Sequence, residues 1–116
     1  MKKKERDYPP SGYRSMWLFV FFDLPTRTAE QRKLHTKFRK SLERIGFVRS
    51  QLSVYVQFYP NQDSSDRSKQ SIKGFLPPAG EVRLLTVTDR QFEKMQILRS
   101  QEIVEVEKKP KTAMFF

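Results

Sequence analysis

Residues 16–25 read Met16-Trp17-Leu18-Phe19-Val20-Phe21-Phe22-Asp23-Leu24-Pro25. The run from Met16 to Phe22 is apolar without a break and rich in aromatic side chains. It is far too short to cross a bilayer, which takes about 20 residues. An unalternating run of this length predicts a central strand buried on both faces. Pro25 cannot donate to a sheet ladder, so it ends the strand. A strand that is apolar on two sides needs a layer on each, and the rest of the chain has to supply at least one of them.

Downstream, residues 28–45 predict a helix. Thr28 followed by Gln31 matches a capping box. Leu34, Phe38, Leu42 and Ile45 fall on one stripe, and Gly46 is a natural stop. Residues 47–50 and 52–59 predict two extended segments, a bent strand or a hairpin, closed by Pro60. Residues 65–75 predict a second helix with a poor apolar face of Ile72, Phe75 and Leu76. Pro77-Pro78-Ala79-Gly80 is a turn, and 81–88 is a strand built around Val82, Leu84, Leu85 and Val87. Thr88 and Asp89 cap a short helical turn reaching Met95, and 97–98 and 102–107 are short strand candidates.

The order is β-α-β-β-α-β with an extra C-terminal strand. That predicts an α+β, ferredoxin-like domain over residues 15–107, an antiparallel sheet with two helices on one face. A flexible basic arm is expected over 1–14, with Lys2, Lys3 and Lys4, and a polar tail over 108–116. One chain leaves the second sheet face uncovered, so a second copy is expected there in a two-fold dimer. The alternative is RNA stacked on exposed aromatics, although the glycine-aromatic signature of that class is missing.

The chain has 116 residues, about one domain. Its 23 Lys+Arg against 13 Asp+Glu leave a formal charge of +10. Such an excess predicts a polyanionic partner. Cysteine is absent and His35 is the one histidine, which excludes thiol catalysis, thiolate metal sites and a multi-histidine zinc site within one chain. No apolar run is long enough to span a membrane and no secretory signal is visible, so a cytoplasmic protein without a membrane partner is expected.

Asp23 is the sharpest candidate for chemistry. A carboxylate at the end of an apolar strand can organise the following turn through an Asx hydrogen bond. It can also share a magnesium ion with the Asp23 of a second copy, because magnesium takes oxygen ligands and keeps much of its water. Between residues 32 and 49 there are seven Lys/Arg and the single Glu43. Lys33, Lys37, Lys40 and Arg44 lie within about a 60° sector of the helix and span roughly 16 Å. They read as a phosphate-binding stripe that positions a backbone without reading sequence, or as a solvated helix face. Arg49, Gln51, Ser53 and Tyr55 alternate, which places them on one strand face with Val54 and Val56 turned to the core. Arg49 could meet phosphate there, with Ser53 in support, or the row could organise waters around a metal, or it is an ordinary polar strand face. His35 reads as a boundary residue of the helix.

These pieces together resemble the small CRISPR-associated adaptation proteins, the Cas-two family of non-integrase subunits in spacer acquisition. The resemblance runs from Trp17 to Met95. It is carried by Phe22-Asp23-Leu24-Pro25, Arg32-Lys33, Phe38-Arg39-Lys40, Gly46-Phe47, Gln51-x-Ser53-Val54-Tyr55 and Gly80-x-Val82-Arg83-x-Leu85-x-Val87-Thr88-Asp89-x-Gln91-Phe92. The last block is similar to members that accompany type II systems. The basic arm and a somewhat longer first helix depart from a compact member.

The resemblance implies a homodimer whose C-terminal strand packs across to the other sheet. It implies an endonuclease dependent on Mg2+ or Mn2+ that acts on RNA or DNA, with Asp23 in the position of the metal-binding catalytic aspartate. It also implies a CRISPR integrase subunit as partner and a duplex DNA prespacer as ligand. A non-catalytic duplex-binding scaffold and a related toxin-type ribonuclease are the alternative functions.

Overall fold

A computed structural model describes residues 15–100 and 102–107, with the side chains of 102–104 excepted. The expected basic arm and polar tail lie outside the described residues. The elements in chain order are β1 (Met16–Asp23), α1 (Ala29–Arg44), β2 (Val48–Gln51), β3 (Val54–Tyr59), α2 (Gln62–Lys73), β4 (Glu81–Thr88), α3 (Asp89–Glu93), β5 (Ile97–Arg99) and β6 (Glu102–Val104). Four strands form one antiparallel sheet in the order β2-β3-β1-β4, with the apolar β1 inside it. This is the ferredoxin-like α+β plan expected from the element order. The C-terminal strand β6 pairs with β5 in a separate two-stranded sheet within the chain.

Successive side chains of a strand point to opposite faces. Leu18, Val20 and Phe22 face the helices and pack with Phe38 and Leu42 of α1, Ile72 of α2, and Tyr55 and Tyr59 of β3. Phe22 meets Phe38 edge-on with ring centroids 5.2 Å apart. Both helices begin on side-chain caps. Gln31 N–H donates to Thr28 Oγ1 at 3.0 Å, and Ser64 N–H donates to Asn61 Oδ1 at 2.9 Å. The Asn61 cap starts α2 earlier than the expected residue 65, because it satisfies a donor of the first turn.

Trp17, Phe19, Phe21 and Asp23 lie on the opposite face. Cross-strand register arranges that face in rows: Phe58–Trp17–Val87, Val48–Val56–Phe19–Leu85, Gln51–Val54–Phe21–Arg83 and Asp23–Glu81. The expectation that one chain leaves this face uncovered holds for only part of it. α3 folds back over the first row, where Phe92 stacks on Trp17 with centroids 3.9 Å apart and planes 7° from parallel. Met95 and Val106 pack on the same cluster.

The expected common face of Arg49, Gln51, Ser53 and Tyr55 does not form. The register shifts between Arg49 and Gln51, so Arg49 pairs with Tyr55 while Gln51 pairs with Val54. A bulge of this kind inverts the alternation. Gln51 therefore leaves the face that Arg49 and Tyr55 share. Pairing with Val20 buries Tyr55 under the helices, while Val54 and Val56 lie on the other face, where Val56 is also buried. Ser53 sits in the tight connection between β2 and β3.

Candidate functional site at the end of the central strand

Asp23 closes β1 with its side chain exposed, on the sheet face that the helices do not cover. Leu24 turns inward and is buried directly after it. The connection from β1 to α1 is held without the Asp23 carboxylate. Gln31 Oε1 accepts from the backbone N–H of Arg27 at 2.8 Å and of Thr28 at 3.1 Å. Arg32 Nη1 donates to the carbonyls of Thr26 at 3.1 Å and Arg27 at 2.9 Å. Among the described residues the Asp23 carboxylate accepts no hydrogen bond, so no Asx turn forms there and the acid is left for another role.

Two neighbours fix where Asp23 stands. Phe22 N–H donates to the Ser53 carbonyl at 3.1 Å, tying the strand end to the β2–β3 connection. Ser53 thus contributes through its backbone. On the other side Gly80 has φ +96°, and a Cβ there would lie 2.7 Å from the Asp23 carbonyl oxygen. Only glycine takes that conformation and that approach together without strain.

Register places Glu81 directly opposite Asp23. Two like charges in that position repel. Arg83, two residues along the same face, answers the repulsion, with Nη2 at 3.3 Å from Glu81 Oε2. Glu81 and Arg83 were not legible as site residues, because only the pairing of β1 with β4 brings them beside Asp23. The alternation of residues 81–88 was visible, but not the register.

The basic stripe is placed elsewhere. Lys33, Lys37, Lys40 and Arg44 are all exposed on α1, which packs on the face opposite Asp23. Among the described residues the three lysines have no carboxylate partner, while Arg44 Nη2 donates to Ser41 Oγ at 3.2 Å. Glu43, the one acid within the stretch, accepts from the Tyr55 hydroxyl at 3.2 Å. Arg49 is exposed on the edge strand β2 and shares the helix side through its pairing with Tyr55. Structure therefore joins Arg49 to the side of the stripe and separates both from the face of Asp23.

His35 meets Phe22 edge-on at 5.6 Å. Burial, and then the nearby Arg39 guanidinium, holds its pKa below the ordinary 6.5. It lines a cavity of about 30 Å³ with Leu24, Pro25, Leu34, Pro77 and Pro78. That is room for about one water, and the walls are mostly apolar, so His35 is a boundary residue as expected.

No group of three or more His, Cys, Asp or Glu able to hold a metal occurs among the described residues. Asp23 offers one free carboxylate, while Glu81 opposite it is paired with Arg83. A hard oxygen donor of this kind suits magnesium or manganese, which keep several waters. One carboxylate from one chain fits such an ion only in part.

The chain is similar to known proteins in sequence and in fold. The family model of the CRISPR-associated protein Cas2 matches residues 16–95. A CRISPR-associated endoribonuclease Cas2 of Flavobacterium psychrophilum is 38% identical over 83% of this chain and 84% of its own length. One from Ligilactobacillus salivarius is 42% identical over 78% of this chain and 90% of its own length. A solved crystal structure of Cas2 superposes with a TM-score of 0.52 at 15% identity, covering 80% of this chain and 98% of that one, a likeness of fold.

Proposed function

Since the chain belongs to the Cas2 family, we propose that it is a homodimeric, divalent-metal-dependent endonuclease of CRISPR spacer acquisition that cleaves RNA or DNA at Asp23. The observation that carries this reading is the exposed Asp23 carboxylate, unused by its own turn and set at the end of an apolar strand. Relatives bearing the name endoribonuclease support RNA as the first substrate to test. A role in spacer acquisition would put the protein in the cytoplasm.

The uncovered part of the sheet supports the dimer. Val48 and Leu85 are 62% and 51% exposed and flank Phe19 and Val56 in one apolar row. A second copy seated there would remove Val48, Leu85 and the exposed part of Phe19 from water and bring two Asp23 carboxylates into one region. Asp23 and the partner's Asp23 would hold Mg2+ or Mn2+. When bound, the ion supplies charge stabilisation at a phosphoryl oxygen and an activated water. The residues of the chain do the rest: Gly80 and Ser53 fix the strand end, and the apolar row orients the two copies.

A second reading is favoured by the lysines without partners. Lys33, Lys37, Lys40 and Arg44, with Arg49 beside them, would hold the backbone of a duplex DNA prespacer for the integrase partner. The two readings coexist, because stripe and acid occupy opposite sides of the sheet.

Two sets of variants separate them. Asp23→Asn is expected to lower Mg2+-dependent cleavage of single-stranded RNA by homogeneous protein about 100-fold or more, with duplex binding unchanged. Cleavage at the parental rate would move the active site elsewhere. Lys37→Glu with Lys40→Glu is expected to weaken duplex binding and to lower its salt slope by about 0.9 for each phosphate no longer neutralised. An unchanged slope would remove the stripe from the binding surface.

A further inference from the structure

Arg83 is the one cation that cross-strand register places on the face of Asp23 next to the acidic row, among the described residues of β1, β3 and β4. Its guanidinium is drawn toward that row by Glu81, at 3.3 Å. Glu81 stands opposite Asp23, and such pairs have their Cβ atoms about 5 Å apart. The cation is therefore held within reach of any group that approaches the Asp23 carboxylate. Both members of the ion pair are well exposed, 73% for Arg83 and 61% for Glu81. An exposed pair of this kind contributes little to folding, and its partner can be exchanged.

We propose that Arg83 is the phosphate-binding residue of the Asp23 site, and that Glu81 is a positioning residue that holds its guanidinium over the site until a phosphodiester takes the place of the carboxylate. The planar fork of arginine offers paired donors that match two phosphate oxygens, which lysine cannot reproduce. The exchange keeps one anion on the guanidinium throughout. It also gives the site its own cation, separate from the lysines across the sheet. Asp23 and Glu81 alone would repel the substrate, and Arg83 offsets that repulsion where the phosphate has to arrive. The proposal rests on the reading of Asp23 as the nuclease centre.

The experiment is binding without turnover, followed by turnover. In Asp23→Asn protein with EDTA, a short fluorescein-labelled oligouridylate is titrated over a range of salt concentrations. Adding Arg83→Gln is expected to weaken binding about tenfold at low salt and to lower the salt slope by about 0.7 for each phosphate left without its cation. Arg83→Lys is expected to restore the slope but not the full affinity. An unchanged affinity and slope for Arg83→Gln would overturn the proposal, as would a change from dimer to monomer by mass, which would make Arg83 an interface residue.

With Asp23 intact and Mg2+ present, Glu81→Gln is expected to lower KM, since a competing anion is gone, and to lower kcat, since the guanidinium is no longer held in place. No change in either would overturn the role of Glu81. Asp23→Asn protein that cleaves like the parent would overturn the nuclease reading alone, and the binding titration would still decide Arg83.

Discussion

The two ends of β1 carry the same kind of partner in opposite conditions. At the start of the strand, Trp17 Nε1 donates to Asp89 Oδ1 at 2.8 Å, and Asp89 is 3% exposed. Phe92 covers the indole, and the Asp89 N–H donates to the Ser15 carbonyl at 3.0 Å. At the finish, Asp23 stands on the same face, exposed, with its turn held by other groups. A buried carboxylate with its hydrogen bonds made is part of the scaffold. An exposed one that the scaffold does not use is available for chemistry. The function of an acid in this fold is thus set by what covers it, not by its place beside an apolar strand.

That contrast can be broken in order of expected effect. Phe92→Ala removes the cover of Trp17 and is expected to cost about 3–5 kcal/mol in urea unfolding. A loss under about 1 kcal/mol would mean that α3 only rests on the sheet. Asp89→Ala leaves the indole N–H buried without its acceptor and is expected to cost about 1–3 kcal/mol, with a shift in tryptophan fluorescence. Gly80→Ala strains a positive φ and presses on the Asp23 carbonyl, for about 1–3 kcal/mol. It is expected to lower cleavage as well, because it moves the acid. Asp23→Asn sits at the exposed end and is expected to change stability by no more than about 0.5 kcal/mol. A large loss there would make Asp23 a structural acid like Asp89.

His35 sharpens the comparison at the helix side of the same strand end. Its pKa is lowered in the folded state, first by burial and then by Arg39. The unfolded chain therefore takes up the proton first as pH falls. The stability associated with neutral His35 is complete above the ordinary value of 6.5 and declines as pH drops through the lowered folded value. Unfolding at pH 7.5 and at mildly acid pH, compared with His35→Gln, is expected to show a smaller acid loss in the variant. Equal losses in both would show that other groups set the acid response.

Much of the frame was legible because it rests on local physics. Unbroken apolarity marked β1, and Thr28 with Gln31 marked the start of α1, where the capping box is made by both partners. The strand over 81–88 was read from alternation and is found at those bounds. What was not legible depends on how distant segments meet. One shifted residue between Arg49 and Gln51 parts Gln51 from the face that Arg49 and Tyr55 share, and the pairing of Tyr55 with Val20 sets that tyrosine, not Val54, under the helices. Nothing in the alternation of residues 49–55 announces that shift. The cover provided by α3 escaped for a similar reason, since a five-residue helix has little periodicity to read.

From its residues alone the chain determines a strong positive charge, a ferredoxin-like order of elements, and one acid at the end of an apolar strand, since charge, periodicity and punctuation are properties of neighbours in sequence. Tertiary structure alone decides which sheet face that acid occupies, that Glu81 and Arg83 stand beside it, and that the lysine stripe lies on the other side. The physical reason is register: each backbone ladder pairs residues far apart in the chain, and sliding a strand by one residue exchanges its two faces.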